Sequence, residues 1–596
     1  MAGFKLNLNK IEEITSKSNF YLLVLLILTI ITYWPTVHHG FFIWDDNVVA
    51  LSPEVQNFSL PGIKKIFTTF QVGLYHPITS LSFMLDFAIG KGSPLFFHIT
   101  NLILHLLNVI ILFLFLKKNF ANPVVAFIAT FIFVVHPINV ETVAWVSARK
   151  DLISTFFMLL SLLYYTKHCR KVISLKHYII LILLISLSVF SKIQTVIIPI
   201  IFLLIDYHNE RKFNVEILKE KIPLLIPIIL AGSINVIAQK DYGYLSYGSN
   251  YPFFEKIFLY IYAFSQYLFN TFVPVKLSVF YPYPFKPSGE IILTDYIISS
   301  IFIFCCILLF VNKIWRNRSL FFGVLWFFSA ISIVIFVSWN REFIITDRYS
   351  YFASIGLYIF CAFLISKLRE QKKFVSTLSY TILSVYALFF FFISIQRVSL
   401  WKSSELLFKD ASIKYMYSDI LLNSLAAEEI KNGKFAEALG HLDQAIAISP
   451  DFVDAIYNKG VAYEKANDFI RAIDSYTYLI KMDRTNTKGW FARGSLYLKT
   501  GQYSKAIHDF TETIKINPKD FGALQNRAFV FLKVSEYRRA LIDINMALKV
   551  DSRNGSTYYL RGLARIMLME GGCEDIEKSI LMGYKPAQKA KQQYCQ

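Results

Sequence analysis

Apolar stretches long enough to cross a bilayer recur from residue 20 to residue 396 and then stop, and from residue 419 onward the chain is polar, Ala-rich and periodic. One water-soluble core cannot absorb such a composition, because 55% of the 596 residues are hydrophobic and only 17% are charged. In lipid a run of roughly 17–25 apolar residues satisfies its own backbone as a helix. The fold class that follows is all-α: a polytopic transmembrane helical bundle and then a C-terminal α-solenoid. The domains are 1–396 in the membrane, 397–418 as a helical connector and 419–596 as a repeat domain.

Candidate spans lie near 20–39, 95–116, 122–137, 149–166, 176–191, 193–207, 222–239, 254–275, 292–312, 320–338, 349–368 and 376–396. Lys5, Lys10 and Lys17 precede the first, which runs into Tyr33, Trp34 and Pro35 with no small-residue cleavage site, so it reads as an uncleaved signal anchor. Loops rich in Lys and Arg face the cytoplasm; these fall at 117–118, 167–176, 211–221, 313–318 and 367–373. An even number of crossings must separate them, yet three apolar stretches lie between Lys221 and Lys313. The stretch 254–275 contains Glu255, Lys256, Gln266 and Asn270 and leads into Tyr281, Pro282, Tyr283 and Pro284, so it is taken as interfacial or re-entrant. About 11 spans remain, with the N-terminus inside and both the loop after the first span and the repeat domain outside. Cations confined to short loops also account for the net charge of +19 and argue against a nucleic-acid partner.

The outer ends of the spans collect the polar residues. Asp45 and Asp46 form an adjacent acid pair in FFIWDDN, and ionised groups beside hydrocarbon are costly to keep without a use. His76, His98, Asn101, His105, His136, Glu141, Arg149, Lys150, Asp151, Lys192, Gln194, Asp347 and Arg348 fall on the same face. His98, Asn101 and His105 recur at spacings of three and four, so they share one side of a helix, placed toward the bundle interior. Each also has a structural reading. The histidines can be interhelical hydrogen-bonding groups, Asp347 and Arg348 an ion pair at a helix start, Glu141 and Arg149 clamps of a short loop, Lys192 a snorkelling cation, and the acid pair a turn or N-cap.

In order and spacing, WDD, YHPITSL, FHITNLILHLLN, HPINVETVAWVSARKDLIS and DRYSYFASIG, followed by a repeat array, resemble the transmembrane and tetratricopeptide repeat-containing proteins, O-mannosyltransferases of the GT-C glycosyltransferase class. The likeness runs over nearly the whole chain. It implies a GT-C bundle whose first outer loop carries the catalytic acid, Asp45 or Asp46. It further implies a polyprenyl-phosphate-linked hexose as donor and inverting transfer on the extracytoplasmic side. Two positions depart from the eukaryotic pattern: His76 stands where an Arg precedes Pro, and Lys192 is followed by Ile193 and Gln194 instead of Glu. Richness in Ile, Phe and Lys points to a prokaryotic relative and so to periplasmic or cell-exterior chemistry.

The same residues suit that chemistry on physical grounds. An acceptor hydroxyl must lose a proton to a base, and the departing phosphate gains charge that Arg, Lys or His can stabilise. His76, His98, Asn101, His105, His136, Glu141, Arg149, Lys192 and Arg348 are the candidate donor-phosphate and substrate contacts. No cofactor is obligatory, because the polyprenyl phosphate already activates the sugar; a divalent metal between an acid and the phosphate is a possible addition, but two carboxylates do not define a metal site.

From residue 419 the chain repeats every 34 residues. Ala426, Gly460, Gly494, Ala528 and Gly562 hold one position and Ala438, Ala472, Ala506 and Ala540 another, the tetratricopeptide (TPR) pattern. Four units are clear and a fifth, from about 555, is degenerate as a terminal cap should be. Asn423, Asn458, Arg493 and Asn526 are the candidate contacts to an extended protein acceptor or partner. Cys573 and Cys595 are the two cysteines of this domain and can pair if it faces an oxidising compartment. The leading function is thus a membrane hexosyltransferase whose repeats hold its protein acceptor; a non-catalytic membrane-anchored TPR scaffold for envelope complexes is the alternative.

Overall fold

The computed structural model describes residues 8–42, 44–120, 122–168, 174–242, 253–283, 293–313, 317–338, 343–369 and 373–595. Lys5, Pro284 and parts of three basic loops, at 169–173, 314–316 and 370–372, lie outside the described residues. Regular structure among them is helical, with two isolated bridges, Gln71 to Leu74 and Tyr281 to Ile345. The chain divides into two compact units, Met1–Met416 and Tyr417–Gln596, and the connector helix falls in the first.

In chain order the first unit carries α1 (Leu8–Tyr33), α2 (Leu60–Thr68), α3 (Pro77–Gly90), α4 (Pro94–Phe120), α5 (Pro123–Val135), α6 (Val140–Ala144), α7 (Arg149–His168), α8 (Leu175–Val189), α9 (Ile198–His208), α10 (Val215–Lys219), α11 (Leu225–Asp241), α12 (Phe253–Phe272), α13 (Leu293–Lys313), α14 (Arg318–Ser338), α15 (Ser350–Arg369), α16 (Lys373–Leu400) and α17 (Ser404–Lys414). Among the described residues, six stretches are long and apolar enough to cross a membrane: Lys17–His38, Pro94–Phe120, Val215–Asp241, Arg318–Ile335, Asp347–Leu368 and Phe374–Leu400. The expected span at 122–137 is a bent pair instead. Helix α5 stops at Val135 and the chain turns by 57° into 137–144, because Pro137 forces His136 into an extended conformation. Shorter apolar helices take up 175–189 and 193–208, broken at Ser191 and Lys192.

Lipid offers little hydrophobic drive between helices, so close packing matters more. Helices α14 and α15 meet at Gly323 and Gly356, where a Cβ on either would lie 2.5 or 2.3 Å from the other's carbonyl oxygen. Nearby, the buried Trp326 indole donates to the Phe352 carbonyl at 3.1 Å. This contact fixes the helix that begins beside Arg348.

The second unit is five helix pairs and a last helix: α18 (Asp419–Lys431) with α19 (Phe435–Ile448), α20 (Val453–Lys465) with α21 (Phe469–Met482), α22 (Thr487–Lys499) with α23 (Tyr503–Ile516), α24 (Phe521–Lys533) with α25 (Tyr537–Val550), α26 (Gly555–Met567) with the shortened α27 (Cys573–Leu581), and α28 (Pro586–Tyr594). The small residues do the work assigned to them. A Cβ on Gly460 would sit 2.4 Å from the Tyr476 ring, and one on Gly562 would sit 2.6 Å from Ile576. Between the helices of each pair a residue turns left-handed at the same place, Gly433, Asn467, Gly501, Ser535 and Met569, again every 34 residues, and the last turn adds Gly571 and Gly572.

Candidate active site

The two acids of the pair have opposite environments. Asp46 is buried, accepting from the Phe42 N–H at 2.7 Å, the Ser147 N–H at 2.9 Å and the Ser147 hydroxyl at 2.5 Å. Burial pushes its carboxyl up to about 6, against the lowering effect of those three bonds and with a smaller push in the same direction from the nearby Asp45 charge. These bonds tie the loop after α1 to the turn before α7. Asp45 is half-buried, and among the described residues no hydrogen bond reaches its carboxylate. It faces the charge of Lys150 instead.

Three consecutive residues open α7 and, about 100° apart around a helix, go to three places. Arg149, fully buried, pairs with Asp86 at 2.5 Å, donates to Asn101 Oδ1 at 2.8 Å and the Phe97 carbonyl at 2.7 Å, and lies 4.5 Å over the Phe83 ring. Asp151 forms an ion pair with Lys192. Lys150 is within electrostatic reach of Asp45, Asp151, Arg348 and Tyr349, with no carboxylate within ion-pair distance among the described residues. Sequence reasoning did not single it out from its neighbours.

Lys192 rests 4.6 Å over the Tyr349 ring, and burial lowers its amine to about 8. His76 is buried with both ring nitrogens lacking hydrogen-bond partners among the described residues, and burial together with the Lys150 and Lys192 charges drives it down to about 3, so it is neutral. Arg348 pairs with the buried Glu141 at 2.6 Å and lies 4.9 Å over the Trp145 ring. A cleft joins Asp151, Lys192, Arg348 and Tyr349 to an apolar lining of Met158, Ile197, Ala330, Val334 and Phe352. Asp45, His76, Lys192 and Arg348 of the expected set therefore gather around Lys150, with Glu141 behind Arg348.

Others do not join them. Arg149 and Asn101 are corrected from donor contacts to structural ones, since the Asn101 amide donates to the Val143 and Trp145 carbonyls and its oxygen holds Arg149. Of the two histidines with an interhelical alternative, His105 matches it, bonding the Tyr351 hydroxyl at 2.6 Å, whereas His98 bonds the Gly40 carbonyl of the loop after α1 at 3.3 Å; His136 bonds the Thr271 carbonyl at 2.8 Å. Asp347 and Arg348 are not an ion pair with each other; Asp347 takes Arg397 at 2.6 Å and the Tyr281 hydroxyl at 2.6 Å. Neighbours at a helix start point apart, and each found a buried partner distant in sequence. Among the described residues no three His, Cys, Asp or Glu side chains converge as a metal site would require.

In the array, Arg493 is corrected from a peptide contact to a rung across its own helix pair that also reaches the preceding unit. It binds Asp509 through two nitrogens at 2.8 and 3.0 Å and reaches back to Thr477 at 2.9 Å. Arg527 repeats this with Asp543 and Thr511, and Arg561 with Asp575 and Asn545. Asn423 and Asn458 bond each other at 2.8 Å, leaving Asn526 half-buried with no hydrogen bond among the described residues.

A helical membrane unit with an acid-and-cation cluster, joined to a repeat solenoid, defines the class. Two family models match the array: the tetratricopeptide repeat over residues 487–520 and the TPR repeat over 428–467. The chain is 26% identical over 387 residues to Protein O-mannosyl-transferase F38B6.6 of Caenorhabditis elegans, covering 61% of this chain and 54% of that protein. Protein O-mannosyl-transferase TMTC3 of Homo sapiens is 31% identical over 156 residues, 24% of this chain and 17% of that protein. TMTC2 of Mus musculus is 39% identical over 95 residues, 16% and 11%. The chain thus spans about half the length of the first of these relatives and less of the others. Among solved structures, YrrB, described as a TPR protein with an unusual peptide-binding site, aligns at 17% identity and a TM-score of 0.28 over 31% of this chain and 97% of that one. The chain is a TPR-containing membrane protein similar to the named O-mannosyl-transferases.

Proposed function

We propose that the protein is a membrane glycosyltransferase that moves a hexose, mannose-like, from a polyprenyl-phosphate carrier to a protein hydroxyl on the extracytoplasmic side. The observation that carries this reading is the division of labour in the acid pair. Asp46 is spent on Phe42 and Ser147, whereas Asp45 keeps its carboxylate free opposite Lys150. Asp45 is the general base. It takes the proton of the acceptor hydroxyl as that oxygen bonds to the anomeric carbon from the side opposite the phosphate. The carbon–phosphate-oxygen bond breaks, and the polyprenyl phosphate leaves with the electron pair, its charge met by Lys150, Lys192 and Arg348. His76, neutral, offers one N–H to a phosphate or sugar oxygen. The apolar lining from Met158 to Phe352 suits the first isoprene units of the carrier. Lipid-linked phosphate activates the sugar, so no further cofactor enters the scheme, and the repeats hold the acceptor.

The test is transfer in reconstituted membranes, with labelled polyprenyl-phosphate hexoses and a periplasmic protein extract. Label reaching protein with wild type and not with Asp45→Asn supports the reading and names the sugar. Equal transfer by Asp45→Asn removes it.

A further inference from the structure

The outer loop that carries Asp45 is held from two directions. One is the Asp46 carboxylate on Ser147. The other is an aromatic cluster contributed by the far end of the same unit. Trp44, the residue before Asp45, meets the Phe408 ring edge-on at 4.9 Å. Phe42 lies 5.4 Å from Phe408, 5.4 Å from Trp401 and 6.0 Å from Trp145. Phe408 sits in the middle of α17 and is fully buried, with Leu407 and Ala411, on the inward face of that helix. Such edge contacts are directional as well as apolar, so they set the angle of a neighbouring ring.

The same helix also reaches the opposite wall of the cluster. Lys414, in its last turn, donates to the Leu277 carbonyl at 2.8 Å, the same oxygen that receives Arg397 at 2.8 Å, and Arg397 holds Asp347 next to Arg348. One eleven-residue helix therefore touches the residue before the base and shares a carbonyl with the arginine that holds Asp347, the neighbour of a phosphate-side cation.

We propose that Phe408 is a positioning residue for Asp45: by fixing the Trp44 ring it sets the carboxylate against Lys150, and α17 is a structural part of the active site as well as the link to the repeats. This rests on Asp45 being the base. The test uses full-length protein in lipid nanodiscs, comparing Phe408→Ala and Phe408→Tyr with wild type, each alongside a Trp44→Phe counterpart so that the Trp44 emission is read by difference. Misplacing a reacting group by about 1 Å costs up to about 100-fold. Phe408→Ala is accordingly expected to lower kcat about 10- to 100-fold with KM for the lipid donor within about two-fold of wild type, while Phe408→Tyr keeps most of the rate. Trp44 emission in Phe408→Ala should shift to the red and become open to acrylamide. A wild-type kcat in Phe408→Ala, an equal loss in Phe408→Tyr, or an unmoved Trp44 spectrum would overturn the proposal. If wild type transfers no sugar, the glycosyltransferase reading fails separately, and the Trp44 difference spectrum still decides whether α17 holds the acid loop.

Discussion

At the scale of single residues, adjacent identical side chains carry different work here, and the difference has measurable consequences. Asp45→Asn should lower transfer about 10²- to 10⁴-fold, the span of a lost general base, with the thermal midpoint unchanged. Asp46→Asn presents an NH₂ to one of three donors, so it should cost about 1–3 kcal/mol of stability and lower transfer only through that loss. Side-by-side kcat and thermal-shift measurements separate the two. Asp46 also carries a pH signature. Its folded value of about 6 lies above the unfolded 3.8, so between those limits the folded state binds the extra proton and stability falls as pH rises. His76, held down to about 3, acts with the opposite sign, losing stability as pH falls below 6.5. The difference in midpoint between wild type and Asp46→Asn across pH 4–7 isolates the carboxyl, and a flat difference would refute its burial as a carboxylate. Composition and motif spacing were enough to point at the acid pair, but not to say which acid is free. Ser147 decides that from 101 residues away, a distance over which a sequence carries no local pattern.

Elements show the same contrast between local and distant causes. The array was legible almost completely because a 34-residue period repeats every constraint: small residues where helices touch, aromatics between them, and a left-handed turn at a fixed place. That turn yields a prediction. Ser535 and Met569 adopt φ of +62° and +60°, where a side chain is strained, so Ser535→Gly should stabilise the protein by about 0.5–1 kcal/mol, read as a raised thermal midpoint, while Gly501→Val should do the reverse. What periodicity hid was the Arg rungs. Arg493 has the look of a solvent-facing ligand contact, and only the Asp sixteen residues later on the paired helix shows its carboxylate bond. Arg527→Ala leaves the buried Asp543 without its bidentate partner and should cost about 3–5 kcal/mol, and Arg527→Lys should restore only part of it. In the membrane unit the hidden signal was Gly323 against Gly356. Overpacking typically costs about 1–3 kcal/mol, so Gly356→Val should lower the midpoint by that order and shift the turn that carries Arg348.

For the whole molecule the open question is which side of the membrane each unit serves, and one covalent bond bears on it. Cys573 and Cys595 are joined by a disulfide, with Cα atoms 5.7 Å apart, closing α28 onto the shortened last pair. A bond across 22 residues stabilises its segment by about 3 kcal/mol in the chain-entropy picture, and the end unit of a solenoid, packed on one side only, is where such a staple has most effect. Disulfides persist in oxidising compartments and are reduced in the cytosol. The topology expected from loop charge has the repeats on the side of Asp45, and the proposed transfer requires it, because a protein acceptor can meet the base only if both share that side. The two lines of reasoning stand or fall together in one labelling experiment. Thiols of Cys573 and Cys595 should take up an impermeant maleimide mass tag on intact cells after reductant and not before it, and Cys595→Ser should lower the midpoint of the last repeat. Tagging only in lysed cells, with no reductant needed, would place the array in the reducing compartment and deprive the repeats of any part in presenting acceptor to Asp45.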